Sequence, residues 1–182
     1  MQKIPTLLLR DESDRKYVTR VVNPEAAWVF SGIGTPTYKW DGTCVMFDGA
    51  EWWARRELKP NQPPPENFVP IVTDTITGKT QGWVPARESG FIKFLDEATS
   101  GKVYPPGTYE LTGPKINGNP HEAPSHRIDK HGDDVVRGLI GVVDLDKIVS
   151  FVSSLPENLA EGIVWHSPDG RMAKLKRRDI KE

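Results

Sequence analysis

Hydrophobic and polar residues alternate with period two over residues 17–22, where Val18, Arg20 and Val22 share one face and Tyr17, Thr19 and Val21 the other; this predicts a strand. Leu7-Leu8-Leu9 predicts another strand before it, separated by the polar run from Arg10 to Lys16, and Pro24 opens a short helical turn through Trp28. Residues 43–47 and 50–56 flank Asp48-Gly49, a strong hairpin signal. A proline-rich loop over residues 59–70 runs into a strand at 68–73 and a turn around Thr77-Gly78-Lys79. Residues 91–98 predict a short helix stopped by Gly101, and Pro105-Pro106-Gly107 launches a strand over 108–112. Asp144 caps a helix with Leu145, Ile148, Val149, Val152 and Leu155 on one stripe, ended by Pro156. A last hairpin joins residues 161–166 to 171–176 through Ser167-Pro168-Asp169-Gly170.

Register decides which charged residues meet. A strict two-residue turn at Asp48-Gly49 pairs residue 47 with 50 and places Gly42 opposite Arg55, with Lys39 on the other face if the strand stayed regular. A second Asp-Gly pair, Asp41-Gly42, predicts a bend there, so Lys39 is expected at a strand entrance. A two-residue turn at Asp169-Gly170 pairs Trp165 with Lys174 and Ile163 with Lys176, which gathers Glu161, Lys174 and Lys176 on one face. The rival reading of residues 174–178 is a basic run on a solvated edge strand. Glu110 falls inside a strand, where a carboxylate is disfavoured, so it either faces solvent or serves a function.

Composition narrows the classes. At 182 residues, with 37% hydrophobic and 27% charged residues and a formal net charge of −1, the chain is expected to fold as a single domain, residues 1–37 forming a support layer. Overall charge gives no sign of nucleic-acid binding, so any phosphate-binding surface must be local. The single cysteine, Cys44, rules out an intramolecular disulfide and a cysteine-based zinc site, and is expected to pack beside Lys39. His121, His126 and His131 recur every five residues, which does not place them on one helix face, and Pro124 and Gly132 oppose a helix; no zinc is expected. They read as a polar loop, with His131 within reach of phosphate. The chain lacks a run of about 18 apolar residues and a signal-peptide core at its start, so a cytoplasmic protein with no membrane partner is expected.

Lys39 carries the chemistry. A free lysine, with a pKa of about 10.4, is almost wholly charged at neutral pH, and a nucleophilic lysine must be shifted by burial, neighbouring cations or a bound metal. Carboxylates at Glu110 and Glu161 and cations at Arg55, Lys174 and Lys176 suit nucleotidyl transfer through a lysine-AMP intermediate. In order, Lys39-Trp40-Asp41-Gly42, Glu110-Leu111-Thr112-Gly113, Glu161-Gly162-Ile163-Val164 and Lys174-Leu175-Lys176 resemble the motifs of the covalent nucleotidyltransferase superfamily of ATP-dependent ligases and capping enzymes. Asp41-Gly42-Thr43-Cys44, Trp53-Ala54-Arg55, Gly82-Trp83-Val84-Pro85, residues 116–120 and residues 161–166 narrow the resemblance to a compact group of 5'-to-3' RNA ligases, over residues 38–178.

The resemblance implies an α+β fold, the ligase adenylation domain of two packed, mainly antiparallel sheets with flanking helices and the nucleotide between them. It implies Lys39 as nucleophile, Glu110 and Glu161 facing metal or ribose, and Arg55, Lys174 and Lys176 holding phosphates. ATP is the implied substrate with Mg²⁺ or Mn²⁺, and RNA ends are the partner. Many relatives carry an OB or helical domain after the Lys-x-Lys strand; the chain ends six residues beyond Lys176, so no C-terminal OB domain is expected. An accessory protein or oligomer is then expected to help grip RNA.

Overall fold

The computed structural model describes residues 4–181. Residues 1–3, which begin the stretch read as lacking a signal-peptide core, and residue 182 lie outside the described residues. The secondary structure is α+β with mainly antiparallel sheets, and the chain divides into two compact units. One holds residues 41–131; the other joins the residues up to Trp40 with those from Gly132 onward.

The discontinuous unit contains β1 (Leu8–Arg10), β2 (Val18–Val22), β3 (Thr35–Lys39), β10 (Gly162–His166), β11 (Met172–Lys176) and helix α2 (Leu145–Ser153), with strands numbered along the whole chain. β1 and β2 pair antiparallel, and the three-stranded sheet has the order β11-β10-β3. Its free edge at β11 is met by residues 5–7: Leu7 N–H donates to the Lys174 carbonyl at 2.7 Å and Lys174 N–H to the Pro5 carbonyl at 3.0 Å. The expected helical turn after Pro24 is a longer 3-10 stretch, Pro24–Ser31, capped by the Asn23 side chain and ended by Gly32 at φ 78°. Asp144 caps α2 as expected, accepting from the N–H groups of Asp146 and Lys147. Its stripe of Ile148, Val149 and Val152 closes a core with Leu7, Leu8, Val29, Ile163, Trp165 and Leu175.

β3 is a strand that sequence pattern does not announce, because Pro36 sits within it. Proline is tolerated on an edge, and β3 is the edge strand beside β10. Lys39 is the last residue of β3, paired with Gly162, which corrects its expected place at the entrance of the strand that follows.

The continuous unit is a six-stranded sheet of order β6-β7-β5-β4-β8-β9, built from β4 (Thr43–Phe47), β5 (Trp52–Leu58), β6 (Val69–Thr73), β7 (Thr80–Pro85), β8 (Gly107–Thr112) and β9 (Arg127–Lys130). Helix α1 (Ile92–Thr99) buries Leu95 and Ala98 against Val45, Ala54, Val84, Tyr109 and Leu111. The first hairpin differs from expectation. Asp48 accepts from the N–H groups of Ala50 and Glu51, both at 2.8 Å, so the turn slides along and Phe47 pairs with Trp52. The slide is two residues, so face is preserved, and Arg55 falls beside Cys44 instead of Gly42.

Candidate functional site

In the three-stranded sheet, opposite residues share a face, so Lys39, Gly162 and Lys176 form one row and Thr37, Val164 and Lys174 the next. The other face carries Tyr38, Ile163 and Leu175 into the core. The expected pairing of Trp165 with Lys174 is corrected: Ser167 N–H closes the loop on the Arg171 carbonyl at 2.8 Å, the turn is one residue longer, and Trp165 pairs with Ala173. Strict alternation in this register would set Glu161 against the lysines. It escapes because it stands just before β10, where its N–H donates to the Lys39 carbonyl and its own carbonyl accepts from Arg177 N–H, both at 2.9 Å.

The Glu161 carboxylate is consequently shared. One oxygen accepts from Lys39 Nζ, the other from Lys176 Nζ at 2.8 Å, and Arg178 stands 3.7 Å away. Burial alone would raise this carboxyl, but Lys39 and Lys176 and their hydrogen bonds outweigh it and hold it below the usual carboxylate range. Lys174, on the same face, has no such acceptor among the described residues. Burial, then repulsion from Lys176 and Lys39, pushes its ammonium down to about 8. Gly162 has a steric role: a Cβ there would stand 2.2 Å from the Leu175 carbonyl oxygen and 2.6 Å from Lys176 Cα. Thr37, 2% exposed, pairs through Oγ1 with His166 Nε2 at 2.9 Å, and Trp40 Nε1 donates to Asp134 at 2.8 Å.

The six-stranded sheet has its own polar face. Cys44 lies opposite Glu110, and Glu110 opposite Asp129. Glu110 is 8% exposed, which settles its reading against a solvent-facing carboxylate. Its carboxylate accepts from Gly42 N–H at 3.1 Å and pairs with His131 Nε2 at 2.8 Å, while His131 Nδ1 pairs with Thr108 Oγ1 at 2.9 Å. Burial first, and Glu110 second, push the Cys44 thiol up to about 12, so it stays protonated. The donor atoms of Cys44, Glu110 and His131 lie within 4.8 Å of one another. Arg55 pairs with Gln81 and also hydrogen-bonds Cys44. The loop at 116–120 works through a side chain: Asn117 Nδ2 donates to the Gly42 carbonyl at 2.7 Å.

Of the expected site residues, Lys39, Glu161, Lys174 and Lys176 therefore share one face in one unit, and Arg55 and Glu110 share one face in the other. The three histidines separate, with His121 accepting from Asp41 N–H at 2.9 Å and His126 pairing with Glu97 at 2.8 Å. Sequence reasoning missed the His131–Glu110 pair. Arg127–Lys130 form β9 and deliver His131 at its end, but with Ile128 as its one apolar residue this strand shows no period-two alternation in the sequence. Among the described residues, no helix is long and apolar enough to cross a membrane.

Residues 102–181 match the sequence profile of the family described as RNA ligase 1. RNA ligase 1 of Pongo abelii is 36% identical over 78 residues, that of Mus musculus 37% and that of Danio rerio 35%. Each alignment covers 40% of this chain and 24% of the relative's length. Glu110, Glu161, Lys174 and Lys176 fall inside the matched stretch, and Lys39 and Arg55 outside it.

Proposed function

We propose that the chain is an ATP-dependent RNA ligase with the adenylation-domain fold of the covalent nucleotidyltransferases, both units belonging to one such domain. The carrying observation is that Lys39 and Lys176 hold the two oxygens of one partly buried carboxylate, Glu161, with Lys174 on the same face. That arrangement keeps a lysine fixed while surrounding it with cations for phosphate oxygens. Lys39 Nζ is paired with Glu161. For attack the pair opens and the Nζ proton passes to solvent; Nζ then forms a bond to the α-phosphorus of ATP, and the bond from phosphorus to the bridging oxygen breaks, its electrons leaving with pyrophosphate. AMP passes to an RNA 5'-phosphate, and a 3'-hydroxyl displaces it to make a phosphodiester.

In this reading Glu161 and Glu110 are the carboxylates that would face Mg²⁺ or Mn²⁺, each giving up a protein donor to do so, since Mg²⁺ characteristically takes one or two carboxylates together with substrate phosphates. Such an ion would offset charge on the reacting phosphate. Arg55 and Lys176 hold phosphates in this reading, and contacts to the RNA backbone make binding salt-sensitive.

The test is incubation with α-labelled ATP and Mg²⁺ or Mn²⁺, followed by denaturing electrophoresis. The expected result is a covalent AMP adduct absent from Lys39→Ala, and sealing of nicked RNA over nicked DNA. An adduct with GTP alone would give a capping-type transferase. No adduct with any nucleotide, together with retained RNA-end binding, would give a binding module without turnover.

A further inference from the structure

Beside the lysine face lies a cleft of about 770 Å³, where residues 4–6 run along β11 and the segment around residues 15–17 folds over. Its cationic lining is Arg10, Arg15, Lys16, Lys174 and Arg178, against two carboxylates, Glu25 and Asp179. Two of the five cations are already answered: Arg10 pairs with Asp179 at 3.0 Å, and Arg178 stands 3.7 Å from Glu161. Arg15, Lys16 and Lys174 have no ion pair among the described residues. Arg10 also donates to the Lys16 carbonyl at 2.9 Å, which fastens the loop that carries Arg15 and Lys16 to the cleft. Arg15 and Lys16 are exposed, but Lys174 is partly buried, and a partly buried cation without a counter-ion is costly unless an anion completes it. Lys174 belongs both to this lining and to the face that carries Lys39.

We propose that this cleft is the polyphosphate subsite, taking the β- and γ-phosphates of the nucleotide and holding the pyrophosphate that Lys39 displaces. This rests on the ligase reading above. When the Nζ–phosphorus bond forms and the phosphorus–oxygen bond breaks, the added charge falls on pyrophosphate, and Arg15, Lys16 and Lys174 offset it. The residues expected to be a passive support layer thus supply leaving-group cations, and Lys174 bridges the two ends of the triphosphate.

The test uses the full chain and the double variant Arg15→Ala/Lys16→Ala, whose side chains are exposed on a loop and hold no core contact. Inorganic pyrophosphate binding is measured by calorimetry, the KM for ATP by adduct formation, and the last step by sealing RNA that already carries a 5'-adenylyl group. The expected result is a pyrophosphate affinity and an ATP KM each worse by about tenfold or more, as for loss of charge-assisted contacts, with sealing of pre-adenylylated RNA unchanged. Unaltered pyrophosphate affinity and KM would overturn the proposal. A defect confined to AMP transfer onto 5'-phosphate RNA would overturn it too, giving the cleft to the RNA end. If the wild-type chain forms no adduct yet binds pyrophosphate through these two residues, the ligase reading fails and the anion subsite stands.

Discussion

The two units place a glutamate on a polar sheet face in different company. Glu161 in the three-stranded unit is balanced by two lysines, with a third on the same face, whereas Glu110 in the six-stranded unit is satisfied by a backbone N–H and a histidine beside a protonated thiol. The first arrangement gathers three lysines on one face around a single carboxylate. The second is a hydrogen-bonding surface whose members are held neutral or already paired. A carboxylate in a strand therefore says little by itself; its neighbours across the ladder decide what it can do.

The contrast is broken most severely at Glu161. Glu161→Gln leaves Lys39 and Lys176 without their shared counter-charge, and is expected to cost about 3 kcal/mol in urea unfolding, and to abolish most adduct formation. The sign with pH follows from its lowered carboxyl. The stabilisation is full above the ordinary carboxylate range and is lost as pH falls through the folded value, so the acid limb should flatten in Glu161→Gln. An unchanged acid limb would mean that the lysines do not depend on this carboxylate.

Gly162→Ala and Gly42→Ala sharpen the comparison sterically. In both, a Cβ would meet a carbonyl oxygen at 2.2 Å, that of Leu175 or Leu111 respectively. Each is expected to cost about 2 kcal/mol, read as a shift in the urea midpoint, and Gly162→Ala should also impair adduct formation by displacing Lys176. In the six-stranded unit, His131→Ala is expected to cost about 2 kcal/mol, from two lost hydrogen bonds, to Glu110 and to Thr108. Cys44 should resist alkylation at pH 8 in the native protein and react on unfolding, since its thiol is pushed up to about 12.

A pH-dependent effect belongs to Lys174. Its ammonium titrates at about 8 in the folded protein against 10.5 ordinarily, so between those values the unfolded chain binds more protons and stability rises with pH. Lys174→Met should lose that rise, measured by thermal unfolding between pH 8 and 10.

Much of the local structure was legible. The Asp144-capped helix, the strand that carries Glu110 and both Asp-Gly hairpins declare themselves through capping, period-two alternation and turn chemistry. β3 was not, because proline hides a strand unless its edge position is known, and neither was β7 between β5 and β6. Both hairpin registers were misread for one reason. An aspartate that hydrogen-bonds forward, or one further residue in the loop, moves the pairing without changing the sequence signal.

The residue types and their order along the chain already contained the cast of the site: a lysine before an Asp-Gly turn, two later glutamates and a Lys-x-Lys strand. What only the folded chain decided is who meets whom. Glu161 reaches Lys39 and Lys176 because it sits just outside its strand, and Arg15 and Lys16 join Lys174 because a distant edge needed a partner for its backbone. Such meetings depend on ladder register and edge pairing, which arise from hydrogen bonds between segments far apart in the chain and leave no local trace.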